Sequence, residues 1–236
     1  MNEFWSSFLA NYALSTSACI ACGVNESALV AFTKQYVHRH IVADLSALSS
    51  AAKAAGFDFA IASAYRSFWR QKAIWNNKFH GHRAVYDQAQ QQVDLSALSE
   101  LEKVHAIMLF SALPGGSRHH FGSDLDVYAR NLIPAGQRLQ LEPWEYEAGG
   151  YLAEFNDWLN EHLADFGFYR PYDRYRGGVA AEPWHISHRA VADSLAPEQS
   201  IAAIATTLER SDVAGKETIL QHLPALYETY IVNVAT

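Results

Sequence analysis

The chain has little sulfur: two cysteines and two methionines among 236 residues. Cys19 and Cys22 form a Cys-Ile-Ala-Cys pair with no second pair to complete a zinc knuckle. No strand-helix-strand pattern surrounds them, as a thiol redox fold requires. They read as two small buried side chains on a helix or at its end, with a disulfide between them left open if the protein is exported. No apolar run reaches the roughly 20 residues that cross a bilayer. Lys and Arg are absent before Lys34, and Glu3 and Glu26 stand where a secretory signal carries positive charge or none. Despite the small-residue stretch from Phe8 to Gly23, the start of the chain predicts no export signal and a cytoplasmic protein. Basic residues are outnumbered 18 to 25, for a net charge of −7, and form no cluster. A nucleic-acid partner is thereby disfavoured.

What is present argues for a folded domain. Half the residues are hydrophobic and 18% are charged, so the chain can bury a sizeable core and is not disordered. No repeat, low-complexity segment or linker divides it, which predicts one domain over residues 1–236. Residues 3–12 and 26–40 carry apolar side chains at mixed helical spacing and predict short helices. Asp44 is placed to cap a helix that Gly56 ends, and Phe57 to Ala64 reads as a buried strand. Ser67 can cap a helix over 68–79, residues 80–98 form a polar loop, and Ser99-Glu100-Leu101-Glu102 opens a helix to Ala112 like a capping box. A strand follows near 124–129 and a loop over 134–145. A helix covers 149–166, and short strands over 166–169 and 183–187 are joined by a Gly177-Gly178 turn. The tail from Ala196 is helical. The pattern predicts an α+β fold, a small mixed or antiparallel sheet flanked by helices.

The chemistry concentrates in Pro114-Gly115-Gly116-Ser117-Arg118-His119-His120-Phe121-Gly122-Ser123-Asp124-Leu125-Asp126 and, downstream, Glu182-Pro183-Trp184-His185. A catalytic zinc takes three protein ligands and leaves one position open. His119, Asp126 and His185 fit that formula, with Glu182 left over to move protons. In a strand, Asp124 and Asp126 share one face. The offset of three between Glu182 and His185 lets both reach one ion only at a strand start or bulge, and Pro183 favours the former. From the residues alone, His120 competes with His119 for the ion, and Asp124 is either a carboxylate behind a ligand histidine or an ordinary polar residue. His38, His40, His80, His82 and His105 form no set. Trp184 packs beneath the ligands or walls the cleft, and Tyr172 to Tyr175 can border it.

Three segments in order, Ser63-x-Tyr65-Arg66-Ser67 with Gln71, Ser117-x-His119-x-x-Gly122-x-x-x-Asp126 and Glu182-x-x-His185, resemble the VanY-type zinc D-alanyl-D-alanine carboxypeptidases. These belong to the M15 family, in the group shared with lysostaphin-like peptidases and the hedgehog signalling domain. The resemblance spans about residues 58–188, between an N-terminal helical extension over about 1–57 and a helical tail over about 189–236. It implies that His119, Asp126 and His185 bind Zn2+, that Glu182 is the catalytic base, and that Arg66 grips the substrate's terminal carboxylate. Ser117 and Gln71 are implied to shape the substrate site. The implied substrate is a peptidoglycan stem peptide ending in D-alanine, cut at a D,D or an L,D bond, and the implied location is the cell envelope. A non-catalytic zinc module that recognises cell-wall peptides or a protein is the alternative. Asp124 departs from the pattern, where that position is usually small, and the 80–98 segment and the tail exceed a minimal domain of this kind.

Overall fold

The computed structural model describes residues 14–235; the helix expected over 3–12 lies outside them. Helix α1 (Thr16–Ala21) opens at Ser15, whose hydroxyl accepts the Ala18 N–H. Cys19 lies within it and Cys22 at its end; both are buried free thiols, and burial pushes both up in pKa. Such thiols are poor nucleophiles.

Residues 26–38, expected to be helical, are not. They form a hairpin of β1 (Leu29–Phe32) and β2 (Gln35–His38), closed by Thr33-Lys34. Thr33 takes a left-handed φ of 52°, a turn that no glycine or asparagine announces. Helix α2 (Val42–Ala54) follows a 3-10 turn and has no side-chain cap. Asp44 lies inside its first turn instead, where its carboxylate accepts a 2.9 Å bond from His188 Nε2. Strand β3 (Phe59–Ser63) leads to α3 (Phe68–Phe79), capped by the Ser67 hydroxyl on the Arg70 N–H. Residues 80–98 are largely loop. Helix α4 (Glu100–Met108) has the expected capping box between Ser99 and Glu102 but stops before Ala112; Pro114 biases the residue ahead of it towards extended backbone.

Strand β4 (Asp124–Ala129) comes next, then α5 (Pro143–Tyr146), α6 (Ala153–His162), β5 (Phe168–Tyr169) and β6 (His185–His188). Helices α7 (Arg189–Leu195), α8 (Ile201–Glu209) and α9 (Lys216–Leu226) complete the order. The main sheet runs β3-β4-β6-β5 with every neighbouring pair antiparallel. It is an α+β fold. One apolar core joins the sheet, through Leu125, Val127 and Ile186, to Leu45 and Leu48 of α2 and Phe155 and Leu159 of α6. A second core joins α3 and α4 to the tail, with Phe68, Trp75, Ile107, Ile204 and Leu223 at its centre. No helix among the described residues is long and apolar enough to cross a membrane.

Candidate metal centre

Sheet register brings the first two groups together. Asp126 of β4 stands directly opposite His185 of β6 and, on its other side, Ser63 of β3. Directly opposed residues in an antiparallel pair project from the same face with Cβ atoms about 5 Å apart. His185 is the first residue of its strand, and its N–H is bonded to the Glu182 carbonyl at 3.0 Å. The glutamate therefore folds back over the strand end, with Oε2 3.3 Å from His185 Nδ1.

His119 arrives from the 3-10 turn Arg118–Phe121 that precedes β4. Gly122 ends that turn at φ +70°, where a Cβ would come 2.7 Å from Leu29 Cδ2 and 2.9 Å from the His38 N. The Gly122 carbonyl also accepts the His38 N–H at 2.8 Å. The hairpin thus presses on the turn, and only glycine fits beneath it.

Ligand atoms of His119, Asp126 and His185 all lie within 4.8 Å of one another, and all three residues are buried. His119 Nε2 is 3.4 Å from Asp126 Oδ2 and His185 Nδ1 is 3.4 Å from Asp126 Oδ1. Two ligand atoms on a tetrahedral zinc with bonds of about 2.1 Å lie about 3.4 Å apart, and each histidine keeps that separation from a different oxygen of the Asp126 carboxylate. Asp126 Oδ1 is buried with no hydrogen-bond donor, an arrangement a cation resolves. The outer nitrogens are engaged. His119 Nδ1 donates to the Ala64 carbonyl at 2.9 Å, and His185 Nε2 donates to Asp124 Oδ1 at 3.0 Å. In the neutral rings those bonds leave His119 Nε2 and His185 Nδ1 as the inward-facing acceptors, the first 3.1 Å from Arg66 Nη2 and the second 3.3 Å from Glu182 Oε2.

Asp124 is fully buried behind His185. Its carboxylate also accepts from Arg118 Nε at 2.8 Å and Ser123 Oγ at 3.1 Å, and Arg118 in turn donates to Ser187 Oγ and the Tyr169 hydroxyl. Burial alone would raise the Asp124 carboxyl, but Arg118 and His185 outweigh it and hold it low. The same contest leaves Asp126 well below the usual range, burial losing to His119, His185 and Arg66. Burial works against a charged His185, yet the surrounding carboxylates of Asp124, Asp126 and Glu182 raise it well above the ordinary imidazole value. His119 goes the other way, lowered by burial and Arg66. The net picture is a buried nest of carboxylates that favours positive charge on His185.

His120 is not part of it. Its ring accepts the Gly115 N–H at Nε2 and donates from Nδ1 to the Arg66 carbonyl, and burial lowers its imidazole to about 3. It braces the glycine turn against the Arg66 backbone. Arg66 itself reaches the centre: Nε donates to Ser63 Oγ at 3.0 Å, Nη1 faces Gln71 Oε1 at 3.5 Å, and Nη2 bonds Asp126 Oδ2 at 3.0 Å. Gln71 is fully buried and ties its other end to the Ala112 carbonyl at 2.7 Å, so it touches the site through Arg66. Ser117 is buried at the floor of the cleft. The Tyr172 ring meets His185 edge-on at 5.0 Å, and Trp184 packs against Tyr146 beneath the ligands. The cleft encloses about 350 Å³. Arg118, Lys78 and Arg83 also line it; none stood out in the sequence, although a basic residue inside the Ser-x-His motif and an unusual acid six positions on was the available signal for Arg118.

Residues 34–191 match the family described as VanY, D-alanyl-D-alanine carboxypeptidase, and this span exceeds half of the chain. The chain belongs to that family. As a member of the VanY family it is a metallopeptidase of the D-alanyl-D-alanine carboxypeptidase type, and the match begins ahead of the 58–188 span that carries the motifs. A D-alanyl-D-alanine carboxypeptidase of Enterococcus faecalis is 30% identical over 145 residues, 60% of this chain and 44% of that protein. An uncharacterized Haemophilus influenzae protein is 36% identical over 122 residues, covering 51% of this chain and 93% of its own length. The structure of VanYB in complex with D-Alanine-D-Alanine shares the fold at a TM-score of 0.50 and 23% identity, over 78% of this chain and 89% of that one.

Proposed function

We propose that this VanY-family protein is a zinc-dependent carboxypeptidase that releases C-terminal D-alanine from peptidoglycan stem peptides, at a D,D or an L,D bond. The observation that carries the reading is the convergence of three buried ligand atoms within 4.8 Å, with the Glu182 carboxylate 3.3 Å from one of them. His119, Asp126 and His185 hold the zinc, and the peptidase core runs from about residue 58 to 188 within a single domain. When bound, zinc would polarise the scissile carbonyl and lower the pKa of a water to about 7. Glu182 takes the proton of the attacking water and returns it to the leaving amine. Arg66 offers a planar fork that pairs with a free terminal carboxylate, which an internal peptide bond lacks. Gln71 and Ser63 hold that fork, and Ser117 shapes the floor under the substrate.

The test is cleavage of defined tri-, tetra- and pentapeptides ending in D-alanine, with products read by mass spectrometry and zinc content by elemental analysis. Chelation should stop release of D-alanine and added zinc should restore it. Glu182→Ala should keep zinc and lose at least a hundredfold in kcat. Full activity after complete metal removal ends the proposal, and zinc binding without any cleavage favours a recognition module instead.

A further inference from the structure

Most charges around the metal centre are matched. Arg66 pairs with Asp126, and Arg118 with Asp124. Two cations lining the same cleft are not. Lys78, in the last turn of α3, donates to Ser111 Oγ at 2.6 Å and has no ion pair among the described residues. Arg83, exposed in the loop after α3, has no partner for its guanidinium among the described residues. Burial, followed by Arg83 and Arg66, lowers the Lys78 ammonium to about 8 against the pull of Glu182. A partly buried ammonium whose protein partner is a hydroxyl carries a charge that no carboxylate neutralises, and an anion docking beside it makes a charge-assisted hydrogen bond.

The cleft also has a direction. Arg83, Ala84 and Val85 line both the metal-centre cleft and a neighbouring hollow of about 610 Å³, which Lys103 lines as well. A carboxypeptidase has a single residue on the leaving side of its scissile bond, so a groove that continues past the centre holds the acyl side. We propose that Lys78 and Arg83 form an anion subsite that takes a second carboxylate, carried by a substrate side chain on the acyl side of the scissile bond. The inference rests on the carboxypeptidase reading above. It makes the enzyme selective for acidic peptides over their amidated twins, by charge-assisted hydrogen bonds that a carboxamide does not replace.

The experiment uses the zinc-loaded 236-residue chain and pairs of N-acetyl tripeptides ending in D-alanine, in a D,D and an L,D series. Within a pair, the N-terminal residue carries a side-chain carboxylate or a carboxamide and nothing else differs. The wild-type ratio of kcat/KM, acid over amide, should be about tenfold or more. Lys78→Met should bring it to about one, and Arg83→Gln should lower it about two- to threefold. A wild-type ratio near one, or a ratio undiminished in both variants, overturns the subsite. Arg83→Gln, on an exposed loop, keeps the question open to measurement should Lys78→Met destabilise the fold. Calorimetric titration of the same peptides separates the two readings. Acid-selective binding that Lys78→Met removes, with no product formed, sustains the subsite and sinks the carboxypeptidase. Product formation without acid selectivity does the reverse, and the absence of both binding and product sinks the two together.

Discussion

Replacing Asp124 by asparagine removes a charge while sparing the hydrogen bonds. Both Arg118 Nε, at 2.8 Å, and His185 Nε2, at 3.0 Å, donate to Asp124 Oδ1, whereas Oδ2 accepts only from Ser123 Oγ, at 3.1 Å. An asparagine can set its carbonyl oxygen at the first position and donate from its amide to the serine hydroxyl at the second. What it cannot supply is the negative charge facing Arg118, which is 4% exposed and whose guanidinium charge that carboxylate helps hold. Breaking a buried ion pair by removing one partner costs about 3–5 kcal/mol. With the hydrogen bonds kept, a loss of about 3 kcal/mol is expected, or a fall in melting temperature of roughly 6–12 °C for a chain of this size. The second consequence reaches the metal. His185 loses the carboxylate that makes its ring a stronger donor and fixes its orientation, which typically weakens metal affinity about 10- to 100-fold. Competition with a fluorescent chelator measures the zinc Kd directly, independently of turnover. A Kd within about threefold of wild type would show that the Arg118–Asp124 pair is scaffold alone and refute the link from Asp124 to the metal.

Two further perturbations test the frame around the site. Buried His38 in β2 has its imidazole lowered to about 4, by burial first and then by His40, Arg39 and His188. Its folded value lies below the unfolded one of about 6.5, so the unfolded chain binds the extra proton, and His38 should cost up to about 3 kcal/mol of stability as pH falls from 6.5 to 4. Denaturant midpoints should therefore fall less steeply over that window in His38→Gln than in wild type; parallel curves would count against the assignment. Gly122→Ala forces a side chain into the left-handed region and against the hairpin backbone, at about 2–4 kcal/mol. An unfolding free energy within about 0.5 kcal/mol of wild type would mean that the hairpin does not press on the histidine turn.

Local chemistry explains which elements were legible. Ser67 and the Ser99-Glu102 box announce their helices because a capping hydroxyl acts within three residues of itself. The alternation Asp-Leu-Asp-Val marks β4 because a strand's two faces alternate residue by residue. The hairpin over 29–38 reads as helix in the sequence because its turn uses Thr33, whose left-handed φ is imposed by the strands it joins. Asp44 reads as a cap because it precedes an apolar run, while the partner that engages it, His188, lies 144 residues away.

The sequence by itself determined the family, the residue types at the centre, and Glu182 lying three positions ahead of a strand-opening histidine. Those properties are carried by short motifs whose spacing is local. Between His119 and His120 composition leaves a choice, which the family motif resolves for His119; the tertiary structure adds direction, with one ring turned to Asp126 and its neighbour to the Arg66 carbonyl. It also decided what Asp124, Arg118, Lys78 and Arg83 face. A charge acts on whatever lies within a few ångströms, and here those neighbours come from segments that the sheet register and helix packing bring together across the length of the chain.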